Sequence, residues 1–209
     1  MSSIKNLIFD LGDVIIDIDY MVTISEFQKL AVVDFAEIVS YNKQSHIFDQ
    51  FETGKVTAQQ FRDELKQFLK AGTTDDEITA AWNAILIHYP PAKMQLLQQL
   101  KTQYRTFALS NINEIHVNSI NEAAKAQFGV ADFGSFFHKA YYSNEVGYRK
   151  PDKAIYELVL RQENLIAGET FFVDDKAENV EAAKALGLQA YQLKDRNKLQ
   201  DLLAELSII

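Results

Sequence analysis

Leu7-Ile8-Phe9-Asp10-Leu11-Gly12-Asp13-Val14-Ile15-Ile16 is the stretch on which the reading of this chain turns. Three apolar residues run into an acid, a glycine turn follows, and the sequence becomes apolar again. A run this short, closed by a turn signal, has the pattern of a buried strand. Such a strand delivers the carboxylate of Asp10 to its C-terminal end.

Outward from that strand, the apolar spacing from Tyr20 to Ile87 is helical, with almost no alternation. Capping boxes mark two helix starts, Thr57 with Gln60 and Thr74 with Glu77, and Gly72 between them reads as a helix stop. Beyond Pro90 and Pro91, helix and strand alternate. Helices are expected over 94–101, 114–125, 154–160, 177–186 and 199–206, and strands over 106–109, 140–142, 170–173 and 189–193. That alternation builds a parallel sheet covered on both faces, which the first strand must join. The expected fold is α/β, a Rossmann-like parallel sheet sandwiched by helices. Its core is made of residues 1–16 and 92–209, with 17–91 inserted as a helical cap.

In an open α/β sheet, ligands bind at the carboxyl ends of the strands. The residues placed there are Asp10, then Ser110 and Asn111, then Asp174 and Asp175. Lys150 opens the helix before the 170–173 strand, with Pro151 in its first turn. Carboxylates this close raise one another's pKa unless a cation sits among them. Mg²⁺ prefers oxygen ligands and keeps several waters, so it suits a few carboxylates plus a substrate phosphate. A serine hydroxyl, a backbone N–H and a lysine are donors for the remaining phosphate oxygens. One carboxylate is then free to attack.

Composition narrows the function classes. With 209 residues, 47% of them hydrophobic, the chain can bury a sizeable core. A net charge of −8 opposes an extended nucleic-acid surface, yet leaves room for a local positive site and a small anionic partner. The absence of cysteine excludes disulfides and thiolate zinc sites. The N-terminal apolar run is too short for a signal peptide, and no stretch approaches ~20 apolar residues. The expectation is a cytoplasmic protein with no membrane or nucleic-acid partner, its oligomeric state open.

Four segments carry a resemblance: Phe-Asp-Leu-Gly-Asp-Val-Ile at 9–15, Leu-Ser-Asn at 109–111, Gly-Tyr-Arg-Lys-Pro-Asp at 147–152, and Phe-Phe-Val-Asp-Asp-Lys-Ala-Glu-Asn-Val at 171–180. In this order they resemble the motifs of the haloacid dehalogenase superfamily. The wording is similar to the branch containing bacterial α-glucose-1-phosphate phosphatases and the phosphatase domain of soluble epoxide hydrolases. The resemblance implies a Mg²⁺-dependent phosphatase of a small phosphorylated metabolite, such as glucose-1-phosphate, working through an aspartyl-phosphate. It implies Asp10 as nucleophile, and Asp10, the Gly12 carbonyl, Asp174 and Asp175 as the metal site. It also implies Ser110, the Asn111 backbone and Lys150 as phosphate holders, and 17–91 as a C1-type cap that selects the substrate. Most phosphatases of the superfamily carry a second aspartate two residues after the nucleophile, where this chain has Gly12.

Blander readings stand beside these. Ser110-Asn111 suits the N-cap of the following helix, and Asp174-Asp175 suits that of the helix near Ala177. Asp17 and Asp19 read as a solvated turn, and Arg149 as an ion-pair anchor for the Lys150 loop. Phe48, Phe51, Phe61, Phe68 and Trp82 read as cap core. His46, His88, His116 and His138 show no metal-ligand spacing, although His46 lies where a cap residue touches substrate. The polar turn Phe51-Glu52-Thr53-Gly54-Lys55 is within reach of the core site or is a plain connection. Two other functions compete: a metal-free 2-haloacid dehalogenase, opposed by the acidic pair at 174–175, and a silent scaffold, supported only by Gly12.

Overall fold

A computed structural model describes residues 4–209, apart from the side chains of Tyr41 and Gln44. The first three residues of the N-terminal segment lie outside it. Five parallel strands form the central sheet: β1 (Asn6–Phe9), β4 (Arg105–Ser110), β5 (Lys139–Tyr142), β6 (Thr170–Asp174) and β7 (Gln189–Gln192). Their spatial order is β5-β4-β1-β6-β7, with Phe9 beside Ala108 on one side and Val173 on the other. β1 is therefore central, and Asp10, Ser110 and Asp174 emerge at the same edge.

Side chains of a strand alternate between faces, and the two core clusters separate accordingly. Leu7, Phe9, Ala108, Phe171 and Val173 join one cluster, while Ile8, Phe107, Leu109 and Phe172 join the other. The first face is covered by α6 (Pro91–Lys101), α7 (Glu114–Phe128) and α11 (Leu199–Glu205), the second by α9 (Lys153–Gln162) and α10 (Ala177–Ala185). Burial on both faces is why these strands read as continuous apolar runs.

Between β1 and α6 lie α1 (Tyr20–Leu30), α2 (Phe35–Ser45), α3 (Ile47–Glu52), α4 (Ala58–Lys66) and α5 (Asp75–Asn83). They bury a third cluster that includes Phe27, Phe51, Phe61 and Ile78, together with Ile115 of α7. Both capping boxes form, Thr57 accepting from the Gln60 N–H and Thr74 from that of Glu77, each at 3.2 Å. A ribbon the helical spacing did not reveal, β2 (Asp17–Ile18) antiparallel to β3 (Leu86–His88), closes the base of this segment. Strands of two and three residues are too short to write an alternation.

Several local expectations are corrected. The N-cap of α7 is Asn113, which accepts from the His116 N–H at 3.1 Å, and not Ser110-Asn111. Helix α9 begins at Lys153 under an Asp152 cap, so Lys150 and Pro151 lie in the loop before it. Helix α4 ends at Lys66, and Gly72, at φ 87°, sits in the loop beyond. Asp17 is ion-paired to Lys93 at 3.0 Å and Asp19 caps α1 through the Met21 N–H, so neither is simply solvated. Among the described residues no helix is long and apolar enough to cross a membrane.

The polar turn after α3 docks on the core. Gly54 has φ 66°, and a Cβ there would collide with the backbone carbonyl oxygen of Asn144 in α8 (Ser143–Val146). Only glycine provides both the left-handed backbone and the close approach. Gly54→Ala is expected to push α3 off the core and to lower the melting temperature by several degrees, because the left-handed backbone and the collision are both unfavourable. A thermal melt measures it; a melting temperature unchanged from wild type would show that this docking does not hold α3 in place.

Candidate active site

Three strand ends and one loop build the site. Asp10 follows β1 and is 8% exposed, Asp174 ends β6 at 0%, Lys150 is 2% exposed, and Asp175 is half-buried. The Lys150 Nζ lies 2.8 Å from Asp10 Oδ1 and 2.6 Å from Asp174 Oδ2. Asp174 Oδ1 accepts from the Lys176 N–H and from Asn179 Nδ2, each at 2.9 Å. The pair at 174–175 thus anchors the start of α10 while its carboxylates stay on the site; the N-cap residue is Lys176.

Lys150 reaches the carboxylates because Asn111 clamps its backbone. The Asn111 side chain accepts from the Lys150 N–H and donates to its carbonyl, both at 2.8 Å. Both functions of the amide are engaged there. Ser110 is buried beside it, and Ser143 closes the turn by exchanging hydrogen bonds with Ile112.

Burial pushes the Asp10 carboxyl up to about 7, against the pull of Lys150 and with Asp174 and Asp175 adding to the rise. Asp175 is raised too, by burial and then by Asp174. Carboxylate oxygens of Asp10, Asp174 and Asp175 come within 4.8 Å of one another. Three hard oxygen donors, two held above their ordinary range for want of positive charge, fit a small divalent cation such as Mg²⁺.

At Gly12 the backbone does not take positive φ, and a Cβ would lie 3.0 Å from Ile18 Cδ1. The residue with left-handed backbone is Asp13, φ 53°. Its carboxylate turns away to pair with Arg196 at 2.9 Å and to accept from the Ile18 N–H. Neither position supplies an acid beside Asp10.

A family model for haloacid dehalogenase-like hydrolases matches residues 4–187. The chain belongs to that family. This hydrolase is 30% identical over 191 residues to a D-ribitol-5-phosphate phosphatase of Bacteroides thetaiotaomicron, covering 90% of this chain and 91% of the relative. It is 31% identical to a sesquiterpene phosphatase of Aspergillus oryzae, over 93% and 92% of the two chains. A haloacid dehalogenase family enzyme from B. thetaiotaomicron, solved with magnesium and inorganic phosphate, superposes with a TM-score of 0.82. It is 34% identical, over 91% of this chain and 94% of the other. The hydrolase is an enzyme of the phosphatase kind.

Above the carboxylates, a cavity of about 360 Å³ runs from Gly12, Ser110 and Asn111 at its floor to Phe48 and Trp82 at its roof. Glu52, at the end of α3, enters it, and burial pushes that carboxyl up to about 7. Arg149 anchors the Lys150 loop by ion pairs, as expected, and its partners lie across the cavity in α3: Asp49 and Glu52, the latter at 2.9 Å. Phe51 and Phe61 are buried in the core of the helical segment, whereas Phe48 and Trp82 also line the cavity. His116 lines it too, stacked on Trp82 with centroids 5.3 Å apart; His46 is exposed and lies outside it. Sequence reasoning missed Tyr20, His116 and Lys176. Tyr20 and Lys176 each feel Asp10, Asp175 and Glu52 electrostatically; no motif marks Tyr20, and Lys176 stands inside the 171–180 segment without a role assigned to it.

Proposed function

We propose that this hydrolase is a Mg²⁺-dependent phosphatase of small phosphomonoesters in which Asp10 is the nucleophile. The observation that carries the reading is the pairing of Asp10 with Lys150 inside a cluster of three carboxylates at one sheet edge. An Asp10 oxygen attacks phosphorus, the bond from phosphorus to the leaving oxygen breaks, and an aspartyl-phosphate forms; water then cleaves it to inorganic phosphate. Lys150 neutralises Asp10 and the incoming phosphoryl group, with Ser110 and the Asn111 backbone holding the remaining oxygens. Asp10, the Gly12 carbonyl, Asp174 and Asp175 would hold Mg²⁺, which when bound supplies positive charge for the phosphate oxygens. Residues 17–91 act as the cap, hinged on the β2–β3 ribbon. With no acid at position 12, Glu52 is the acidic side chain that shares the cavity with Gly12 and Ser110.

The test is phosphate release from p-nitrophenyl phosphate and acetyl phosphate, with and without EDTA. Activity is expected to vanish in chelator; full activity there would favour the dehalogenase chemistry. Because the Asp10 carboxyl titrates near 7 before the cation arrives, Mg²⁺ must displace a proton below that pH. Its Kd is therefore expected to weaken by up to about tenfold per pH unit below 7 and to level off above it. Calorimetric titration in buffers of different ionisation enthalpy reads the released proton. Glucose-1-phosphate, the expectation carried from the sequence, and ribitol 5-phosphate, suggested by the bacterial relative, belong in the substrate panel.

A further inference from the structure

The cavity walls decide between two kinds of leaving group. Above the phosphate end the lining is Ile18, Ile24, Val39, Phe48, Trp82 and Leu86. The polar residues among them have little left to offer a ligand. The Thr23 hydroxyl donates to the Ala81 carbonyl, and the Asn42 side-chain oxygen accepts from the Phe48 N–H at 2.8 Å. The Trp82 indole N–H donates to Asn113 Oδ1 at 3.2 Å. His116 uses both ring nitrogens, Nε2–H donating to the Trp82 carbonyl at 3.0 Å and Nδ1 accepting from Asn113 Nδ2 at 3.1 Å. Burial lowers its pKa to about 4, against the hydrogen bond to Trp82, so it presents a neutral ring face. The Asn111 amide is committed to the Lys150 backbone. Among the described side chains of the lining, the Asn42 Nδ2 amine keeps its donors, and the other groups that remain, Ser110, Tyr20 and Glu52, sit toward the charged end: Tyr20 and Glu52 both feel Asp10, and Glu52 is held by Arg149.

A polyol or sugar carries a hydroxyl on nearly every carbon, and most of them would lose water in this cavity without gaining a partner, a cost that grows with every unpaired group. A hydrocarbon chain loses nothing and removes apolar wall from water. Resting on the phosphatase reading of the site, we infer that the group esterified to the phosphate is predominantly apolar, an alkyl or branched hydrocarbon chain, and that the 360 Å³ cavity beneath α1 and α2 is its specificity pocket.

Two measurements separate this inference from the reading it rests on. Binding of n-alkylphosphonates, from butyl to decyl, is followed by calorimetry with Mg²⁺ present. Kd is expected to fall by about fourfold per methylene until the pocket is full, with a negative heat-capacity change. Val39→Asn, or Ile24→Asn should that variant not fold, is expected to flatten the series, which a merely structural defect would not do. In turnover, decyl phosphate is expected to exceed ribitol 5-phosphate and glucose-1-phosphate by at least about tenfold in kcat/KM. A flat phosphonate series, or polyol phosphates preferred while acetyl phosphate is hydrolysed, overturns the apolar pocket and spares the phosphatase. A rising phosphonate series with no phosphate released from any ester, acetyl phosphate included, overturns the phosphatase and leaves an apolar anion-binding pocket standing.

Discussion

Asp10→Asn is expected to reduce phosphatase turnover by more than about 1000-fold, in the range reported for loss of a nucleophile, without loss of thermal stability. The side chains are nearly isosteric, so Lys150 keeps Asp174 as a partner and the sheet edge keeps its packing. An amide nitrogen or oxygen neither forms an acyl phosphate that water can cleave nor offers the cation a full negative charge. The stability half of the expectation comes from the titration. Burial holds the Asp10 carboxyl near 7 against an ordinary 3.8, so the folded state binds a proton the unfolded state has released. Native stability on this account is undiminished below the unfolded value and declines as pH rises through 7. Asparagine carries no such penalty, so its melting temperature in EDTA is expected to match the wild type at low pH and to equal or exceed it at about pH 8. Stopped assays on p-nitrophenyl phosphate and paired thermal melts decide the matter. A variant retaining more than a few per cent of activity would remove Asp10 from the role of nucleophile.

The parts of this site that sequence made legible are those fixed by local rules. An apolar triplet that stops at a charged residue places that residue at a strand end, and in a parallel sheet all such ends share one edge. Asp10, Ser110 and Asp174 were therefore readable before their pairing order was. Capping boxes at Thr57 and Thr74 were readable because both partners lie within one turn. What stayed hidden depends on long-range partners. Asn111 grips the backbone of a residue 39 positions away, and Arg149 meets Asp49 from 100 positions away. The apolar character of the pocket was hidden for a different reason. Phe48 and Trp82 at helical spacing look identical whether they fill a core or line a cavity, and here they do both. His116 looked idle because its role is to spend its polar atoms inside the protein, and no sequence pattern records that.

Lys150→Met is expected to cost stability as well as activity, and the pH dependence of that cost identifies its source. Lys150 is almost fully buried with Asp10 and Asp174 as its ion-pair partners. Burial alone would lower its pKa, yet the two carboxylates hold it above the ordinary lysine value, so it is charged in the fold. Methionine matches the aliphatic stem but leaves two buried carboxylates facing each other with Asp175 nearby, and removing one partner of a buried pair costs about 3–5 kcal/mol. The carboxyl of Asp10, already near 7 with the lysine present, is then driven higher. A carboxyl raised in the fold costs nothing below its unfolded pKa and its full amount above its folded pKa. The deficit of the variant is thus expected to be small near pH 4, to grow across the interval up to and beyond 7, and to shrink when Mg²⁺ supplies the missing charge. Urea titrations in EDTA at the two ends of that interval, repeated at neutral pH with Mg²⁺, measure all three statements. A pH-independent loss would mean that the stem's packing, and not the charge, holds this edge of the sheet together. A loss below about 1 kcal/mol at neutral pH would mean that the carboxylates are already relieved by solvent. Turnover is expected to fall by more than about 100-fold even with Mg²⁺ saturating, because no other described cation lies within contact distance of Asp10.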